Sequence, residues 1–285
     1  MPRSARPLLL CGMLVCLVAQ TARAAELKKQ TATAFDSYVA ASERRMQAEL
    51  QNGTFLYIDG LPEERRREAY EQLRDGQILV QQLHAKVEGN PIKVPGGLIH
   101  DWIGVIFIPK VSLAQTVAVA QDYDNYKVIY KPDVSRSRLV QRSGDNFKVF
   151  LQFYKKSLVT VVLNADYDIR YERLGPDRVV SNSYSTRIVE LKDAGQADER
   201  EFPVDGGHGY LWRLDSYWRL EAKDGGVYVQ LESIGLSRGV PAIFAWLVNP
   251  LLRSIPRGSL TGLLGATRRF LAEPGQSVNN QRPSD

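Results

Sequence analysis

Three histidines are the side chains in this sequence best suited to proton transfer or metal binding. His84, His100 and His208 stand far apart, without a His-x-His or His-Glu-x-x-His spacing, so we expect no metal site. His208 lies in a glycine-rich run, residues 205–209, and loops commonly carry catalytic groups. It is the one weak catalytic candidate, although an exposed loop histidine without a chemical role is the simpler interpretation. His100, beside Trp102 on an apolar strand, is more simply a hydrogen-bonded core residue.

A second group suited to acid–base chemistry is the carboxylate pair Asp166 and Asp168. These side chains share one face of a predicted strand with Arg170 and Glu172, opposite its apolar residues. A solvated face with cross-strand ion pairs therefore explains them better than catalysis does. The sequence also has no nucleophile elbow and no phosphate- or dinucleotide-binding glycine pattern, so we expect no cofactor, and the balance leans away from an enzyme.

The first 24 residues have the pattern of a secretory signal peptide. Arg3 and Arg6 precede an apolar stretch over 8–18, and a small-x-small cleavage site ends at Ala24. The apolar stretch is short for a membrane span, although an uncleaved N-terminal anchor is the alternative. We therefore expect an exported protein, periplasmic or secreted after cleavage near Ala24.

The leader also changes what composition says about the rest of the chain. Both cysteines lie within it, so the mature chain can form no disulfide and has no thiol nucleophile. Of the net charge of +5, three units come from leader arginines, which leaves +2 for the mature chain. A chain this close to neutrality lacks the concentrated basic surface that nucleic-acid binding needs.

From residue 97 onward the sequence predicts a curved antiparallel sheet. Residues 98–108 are almost continuously apolar, and two short helical segments follow at 113–120 and 122–130. Apolar residues then alternate with polar ones along several segments up to residue 237, with tight turns and no helix between them. Period-two alternation of this kind indicates half-buried antiparallel strands.

Residues 25–96 predict an N-terminal α/β accessory segment packed on the main domain, residues 97–272. The segment has helices over 32–50 and 62–76, a short strand at 55–58 and another strand over 78–87. It has too few large apolar residues for a core of its own. The last residues, 273–285, have the composition of a disordered tail.

A long apolar helix, residues 239–271, ends the folded part. Pro250 and Pro256 each remove a backbone donor, which predicts a short helix up to Val248, a break, and a main helix from about Pro256. The first piece is apolar nearly all round. That pattern is typical of burial against the sheet, and it also fits a mobile lid or a gate that touches a membrane.

This order of elements resembles the helix-grip fold of the START-like (SRPBCC) superfamily, which includes Bet v 1-like and polyketide cyclase/dehydrase-type bacterial proteins. The resemblance is carried by residues 99–109, 122–126, 216–220 and 241–270. It implies an α+β fold in which the sheet wraps around the C-terminal helix. It also implies an apolar cavity between them that binds lipids, sterols, polyketides or other hydrophobic ligands; a few members are enzymes.

The candidate ligand-binding residues are those whose strand faces would turn toward this cavity. The apolar ones are Tyr184, Trp212, Leu214, Trp218, Phe244 and Trp246, and the polar ones are Asn182, Thr186 and Ser216. Arg213, Tyr217 and Arg219 fall on the opposite face and are expected outside. A few polar groups in an apolar pocket orient a ligand, but these aromatics could equally fill the core and leave no room.

The resulting hypothesis is an exported, bacterial binder or carrier of a hydrophobic small molecule or lipid, with transient membrane contact as a further expectation. Two alternatives stay open. One is a cavity enzyme of the polyketide cyclase/dehydratase type in which His208 or a pocket polar group moves a proton. The other is a structural envelope protein whose cavity is filled by its own side chains.

Overall fold

The computed structural model describes residues 25–87, 89–156, 159–239 and 242–272, and in the last range side chains from residue 255 onward. The predicted signal peptide, 1–24, and the predicted tail, 273–285, lie outside the described residues. The N-terminal segment contains two helices, a 3-10 turn and three short strands. These are α1 (Lys29–Gln51), the 3-10 turn (Tyr57–Gly60), α2 (Glu63–Arg74), β1 (Leu79–Gln82), β2 (Lys86–Val87) and β3 (Asn90–Pro91).

The main domain begins with one long strand and a helix pair. These are β4 (Gly97–Pro109), α3 (Leu113–Ala120), a 3-10 turn (Tyr123–Asn125) and α4 (Tyr126–Ile129). The strands that follow are β5 (Val134–Ser143), β6 (Asn146–Lys156), β7 (Thr160–Arg173), β8 (Arg178–Lys192), β9 (Arg200–Glu201), β10 (Arg213–Lys223) and β11 (Gly226–Arg238). The chain then forms α5 (Ala242–Ala272). The predicted N-cap Ser112 is confirmed, because its hydroxyl accepts from the Gln115 amide at 3.2 Å.

The sheet of the described residues is antiparallel throughout, in the order β1-β4-β11-β10-β8-β7-β6-β5, with β9 paired to β8. α5 lies on one end of it, over β4 and β1. Gly104 makes this approach close, because a Cβ there would lie 2.6 Å from Leu264 Cδ1. The α+β architecture that the sequence predicts, a curved antiparallel sheet gripping a C-terminal helix, is confirmed.

The sheet is covered on both faces. The inner face, defined by Trp102, Ile106, Leu220, Val229 and Leu231, packs with residues of α3, α4 and α5. The outer face, by contrast, packs on α1, α2 and the first 3-10 turn. Its sheet residues are Val105, Phe107, Tyr217, Tyr228, Ile234 and Leu236. The two helices and the 3-10 turn of the N-terminal segment therefore lie on the side of the sheet that faces away from α5, whereas β1 is part of the sheet itself.

Residues 55–58 form the approach to a 3-10 turn, so the strand predicted there is wrong. Phe55, Leu56 and Ile58 are all buried, and the chain turns at Tyr57–Gly60 instead of extending as a strand. The Asp59 carboxylate accepts from the Leu56 amide at 2.8 Å, and the Tyr57 amide donates to Gln230 at 2.6 Å. These two bonds satisfy backbone groups that a strand would have left unpaired.

The C-terminal helix is continuous, so the predicted break between Val248 and Pro256 is also wrong. α5 runs as one helix through both Pro250 and Pro256. A proline removes one hydrogen bond of the helix, but the turns on either side keep theirs, and a long helix can bend at a proline without ending.

Candidate functional site

Strand β10 is buried more completely on its outer face than on its inner face. Asp215, Tyr217 and Arg219, which point outward, are 4–7% exposed. Leu214, Ser216 and Trp218, which point inward, are only half-buried. The sequence predicts that Tyr217 and Arg219 lie on the outside of the protein. This is wrong, because α1 covers the outer face and buries both side chains. The inner face of β10 is the less occupied one because the described part of α5 packs farther along, on β4 and β1.

One end of the inner face is filled by tyrosines. Tyr123, Tyr126 and Tyr130 from the helix pair make tilted or edge-on ring contacts with one another, and Tyr123 also contacts Phe147 of β6. The Tyr123 hydroxyl donates to that of Tyr171 in β7 at 3.0 Å. Tyr126 and Tyr171 both donate to the Ala120 carbonyl, at 2.5 and 2.9 Å. Burial raises the pKa of Tyr130 to about 12 and raises the others too, so these phenols stay neutral. They close this end and are not proton acceptors.

A glycine-rich loop lies at the opposite end, where β8 ends and β10 begins. The buried Glu190 carboxylate accepts from the amides of His208 and Tyr210 at 2.7 and 2.9 Å. The same carboxylate lies 3.0 Å from His208 Nδ1, and the imidazole stacks on Tyr210. Gly207 has no space for a side chain, because a Cβ there would lie 2.7 Å from Glu190 Oε2. Glu190 thus fixes the conformation of this loop.

Replacing Glu190 by alanine is expected to lower the free energy of unfolding by about 2–4 kcal/mol, because three donors lose their acceptor at once. Chemical denaturation measures this directly. Glu172→Ala, an exposed carboxylate in β7, is the matched control and should change stability by less than about 0.5 kcal/mol. Equal effects of the two substitutions would show that Glu190 does not hold the loop.

The structure divides the sequence-predicted ligand residues between the two faces. Leu214, Ser216 and Trp218 come together on the inner face, as predicted. Asn182 and Tyr184 lie on the outer face: Asn182 pairs in register with Tyr217, and the Tyr184 hydroxyl donates to Glu43 of α1 at 2.6 Å.

The remaining predicted residues lie elsewhere. Trp212 packs in the outer-face cluster, and Thr186 sits at the bulge of β8, where it donates to the Asp166 carbonyl at 3.1 Å. The side chains of Phe244 and Trp246 lie outside the described residues. The bulge reverses which residues of β8 face inward, and no sequence pattern marks it.

Sequence reasoning did not identify Ser181, Ser183 and Ser233, which share the inner face with Ser216. The register places Ser183 opposite Ser216, Ser216 opposite Ser233, and Ser233 opposite Trp102. Their only signal in the sequence is that they stand an even number of residues from apolar neighbours such as Val179 and Leu231, and so point to the same face of the strand. Three buried polar atoms of the inner face, Trp102 Nε1, Tyr167 Oη and Ser181 Oγ, have no hydrogen-bond partner.

The other chemical candidates have structural roles. His100 Nε2 lies 2.8 Å from the Ser237 hydroxyl, and burial lowers its pKa to about 4, which confirms a hydrogen-bonded core histidine. Asp168 pairs with Lys148 at 2.8 Å and Asp166 with Arg187 at 3.5 Å, which confirms the ion-paired surface. Among the described residues, no three His, Cys, Asp or Glu side chains converge as a metal site would require.

A buried ionic cluster joins α1 to the outer face. Tyr38 donates to Asp101 at 2.9 Å, Arg45 pairs with Glu232 at 2.5 Å, and Arg219 pairs with Glu49 at 3.0 Å. Burial and the nearby Glu232 carboxylate raise the pKa of Asp101 to about 8; burial raises that of Glu232 too. Near neutral pH the carboxyl group of Asp101 therefore keeps its proton.

An open depression of about 770 Å³ lies away from the inner face, at two hairpins, between residues 143–146 and 170–173. Its lining is polar and charged apart from Tyr171, which is not what an apolar ligand requires. The half-buried inner face of β10 remains the candidate ligand site.

The topology decides the fold: one strand, a helix pair, an antiparallel run of strands and a terminal helix held against the sheet. The fold is START-like. No protein-family model and no curated protein sequence matches the chain. No helix among the described residues combines the length and apolar character needed to cross a membrane.

Several solved structures are similar at low scores. A STAR-related lipid transfer protein from Xanthomonas axonopodis is 19% identical over 67% of this chain and 99% of its own, with a TM-score of 0.43. A human lipid transfer and protein localization domain is 11% identical over 75% of this chain and 98% of its own, also at 0.43. An aromatase/cyclase from a Streptomyces species is 11% identical over 64% of this chain and 100% of its own, at 0.38.

Proposed function

We propose that this protein is an exported carrier of a hydrophobic small molecule or lipid, bound between the inner face of the sheet and α5. The observation that carries the proposal is the reversed burial of β10. A strand at the centre of a sheet normally buries the face toward the core, yet here the apolar side chains of Leu214 and Trp218 stay half-exposed on that face. Exposed apolar surface inside a concave site is what a hydrophobic ligand covers.

The layout of the inner face supports the same proposal. The tyrosine cluster fills one end of the inner face, and α5 packs on β4 through Gly104. Both of these regions are therefore occupied by the protein's own side chains. The half-buried residues lie between these regions and the Glu190-held loop. The space is therefore bounded on several sides by fixed structure, as a preformed ligand site requires.

Filling this space with a side chain is expected to abolish ligand binding. Ser216→Phe places a ring between Leu214 and Trp218, and it should weaken the binding of an apolar fluorescent probe by at least about tenfold. The measurement is a titration of the purified protein with the probe 1-anilinonaphthalene-8-sulfonate or a pyrene-labelled alkane. Asn182→Phe, on the outer face, is the matched control and should bind the probe as the unaltered protein does. Unchanged binding in Ser216→Phe would place the ligand elsewhere.

A second candidate function, proton transfer by His208, draws on its contact with Glu190. A carboxylate that orients an imidazole is the arrangement found in general-base catalysis. Here, however, the same carboxylate also accepts from two backbone amides, and these bonds fix the conformation of the loop. The carrier function is therefore the better supported of the two.

A further inference from the structure

Four neighbouring strands place three hydroxyl groups and one indole in a single row across the inner face. Ser183 of β8, Ser216 of β10 and Ser233 of β11 stand at the same level, and the indole of Trp102 on β4 ends the row. Adjacent members are directly opposite one another, so their Cβ atoms lie about 4.5–5.5 Å apart. The row runs across the strands, from the edge of the tyrosine cluster to the strand beneath α5. We call these four residues the polar row.

The polar row has no partners within the described protein. Trp102 Nε1 is buried, with the residue 8% exposed, and has no acceptor. Among the described residues, the hydroxyls of Ser183, Ser216 and Ser233 make no hydrogen bond, and those of Ser216 and Ser233 belong to half-buried residues. Tyr167 Oη, also buried and without a partner, lies on the same face two strands from Ser216. A buried donor left unpaired costs about 1–3 kcal/mol, so polar groups are normally placed this way for something that completes their bonding.

The same face offers no charge to a ligand. On the inner sides of β4, β8, β10 and β11, over residues 98–108, 179–190, 214–222 and 227–237, Glu190 is the one charged side chain. Its oxygens already accept from the His208 and Tyr210 amides. His100 is neutral, because burial holds its pKa at about 4. An anionic or cationic head group placed here would lose its hydration without gaining a counter-charge.

Every member of the row can donate a hydrogen bond. An indole N–H can only donate, and a serine hydroxyl can donate or accept. The ligand atoms that suit such a row are oxygens of a hydroxyl, ketone or ester group. On either side of Ser216, Leu214 and Trp218 supply the half-buried apolar surface for the rest of the molecule.

We propose that the polar row binds the oxygen atoms of an uncharged amphiphile, whose apolar body lies along Leu214 and Trp218. This inference rests on the proposed carrier function and specifies its ligand class. A neutral lipid or a long-chain alcohol, ketone or ester fits the face. A free fatty acid or a phospholipid head group does not.

The test uses four ligands with the same sixteen-carbon chain: hexadecane, 1-hexadecanol, methyl palmitate and palmitate at pH 7.5. Each competes with a bound pyrene-labelled alkane on the full-length mature protein. Hexadecanol and methyl palmitate are expected to bind about tenfold more tightly than hexadecane, and at least that much more tightly than palmitate. The Ser183→Ala, Ser216→Ala, Ser233→Ala triple variant should lose the preference for oxygen while it still binds hexadecane.

The outcomes separate this inference from the function on which it rests. If all four ligands bind equally, or palmitate binds best, the polar row does not select neutral oxygen, although the carrier function stands. If none of them binds, both proposals are overturned. Ser216→Ala alone, which removes a single oxygen atom, keeps the test valid if the triple variant does not fold; its preference for hexadecanol should fall about threefold to fivefold.

Discussion

Replacement of Arg219 by methionine is expected to lower the free energy of unfolding by about 3–5 kcal/mol and to loosen α1 from the sheet. The guanidinium is 4% exposed and donates to the carbonyls of Phe55 and Met46 at 2.8 and 3.2 Å. It also pairs with Glu49 at 3.0 Å. Methionine keeps much of the apolar volume but leaves two carbonyls without their donor, and Glu49 keeps only its pairing with Arg45.

Urea denaturation measures the loss of stability, and hydrogen exchange of the amides in residues 29–51 measures the loosening of α1. Arg213→Met is the matched control: this arginine lies on the same strand, is half-buried, and pairs only with Asp205 and the Trp212 carbonyl. It should cost less than about 1 kcal/mol. If Arg219→Met were as mild as this control, the ionic cluster would not be what fixes α1 in place.

Asp101→Asn is expected to make the protein more stable at alkaline pH than the unaltered protein. The carboxyl of Asp101 has an ordinary pKa of 3.8, which burial and Glu232 raise to about 8 in the folded state. Between these two values the unfolded chain releases the proton while the folded protein keeps it. The free energy of unfolding therefore falls as the pH rises from about 4 to about 8, and it levels off above that. Asparagine cannot ionise, so the variant lacks this fall.

Three ionisable groups act on Asp101: Tyr38 and Arg45 on α1, and Glu232 on β11. Asparagine can still accept from Tyr38, so this contact is kept. Between pH 4 and pH 9 the variant should gain about 2–5 kcal/mol relative to the unaltered protein, measured by urea denaturation at each pH. Asp198→Asn, an exposed control, should show no such gain. A gain of equal size in both variants, or none in Asp101→Asn, would contradict a protonated Asp101 in this cluster.

The sequence predicts the main elements of the fold because they depend on local periodicity. Alternating apolar residues identify β6, β7, β10 and β11, a more polar segment between turns identifies β8, and the near-continuous apolar run of β4 identifies a strand buried on both faces. The order of these elements then leaves few topologies to choose from. The fold class and the face of Leu214, Ser216 and Trp218 could therefore be read before any coordinates.

Other features depend on contacts between segments that are distant in the sequence. The expectation that Tyr217 and Arg219 lie outside fails because α1, about 170 residues earlier, covers that face. Tyr184 and Asn182 change sides relative to the prediction because of the bulge in β8, which shifts the pairing by one residue. The sequence does not predict that Ser183 and Ser233 line the inner face, because small polar residues add nothing to a hydrophobic pattern. Only the register of the strands shows that they form a row.

The central claim, that the inner face holds a hydrophobic ligand, is tested most directly by native mass spectrometry of the mature protein purified from the cells that express it, followed by organic extraction. The account predicts a protein mass with one apolar, uncharged molecule bound, and release of that molecule on extraction. A bare protein mass, with no uptake after incubation in a lipid extract, would contradict it and would favour an inner face filled by the protein's own side chains.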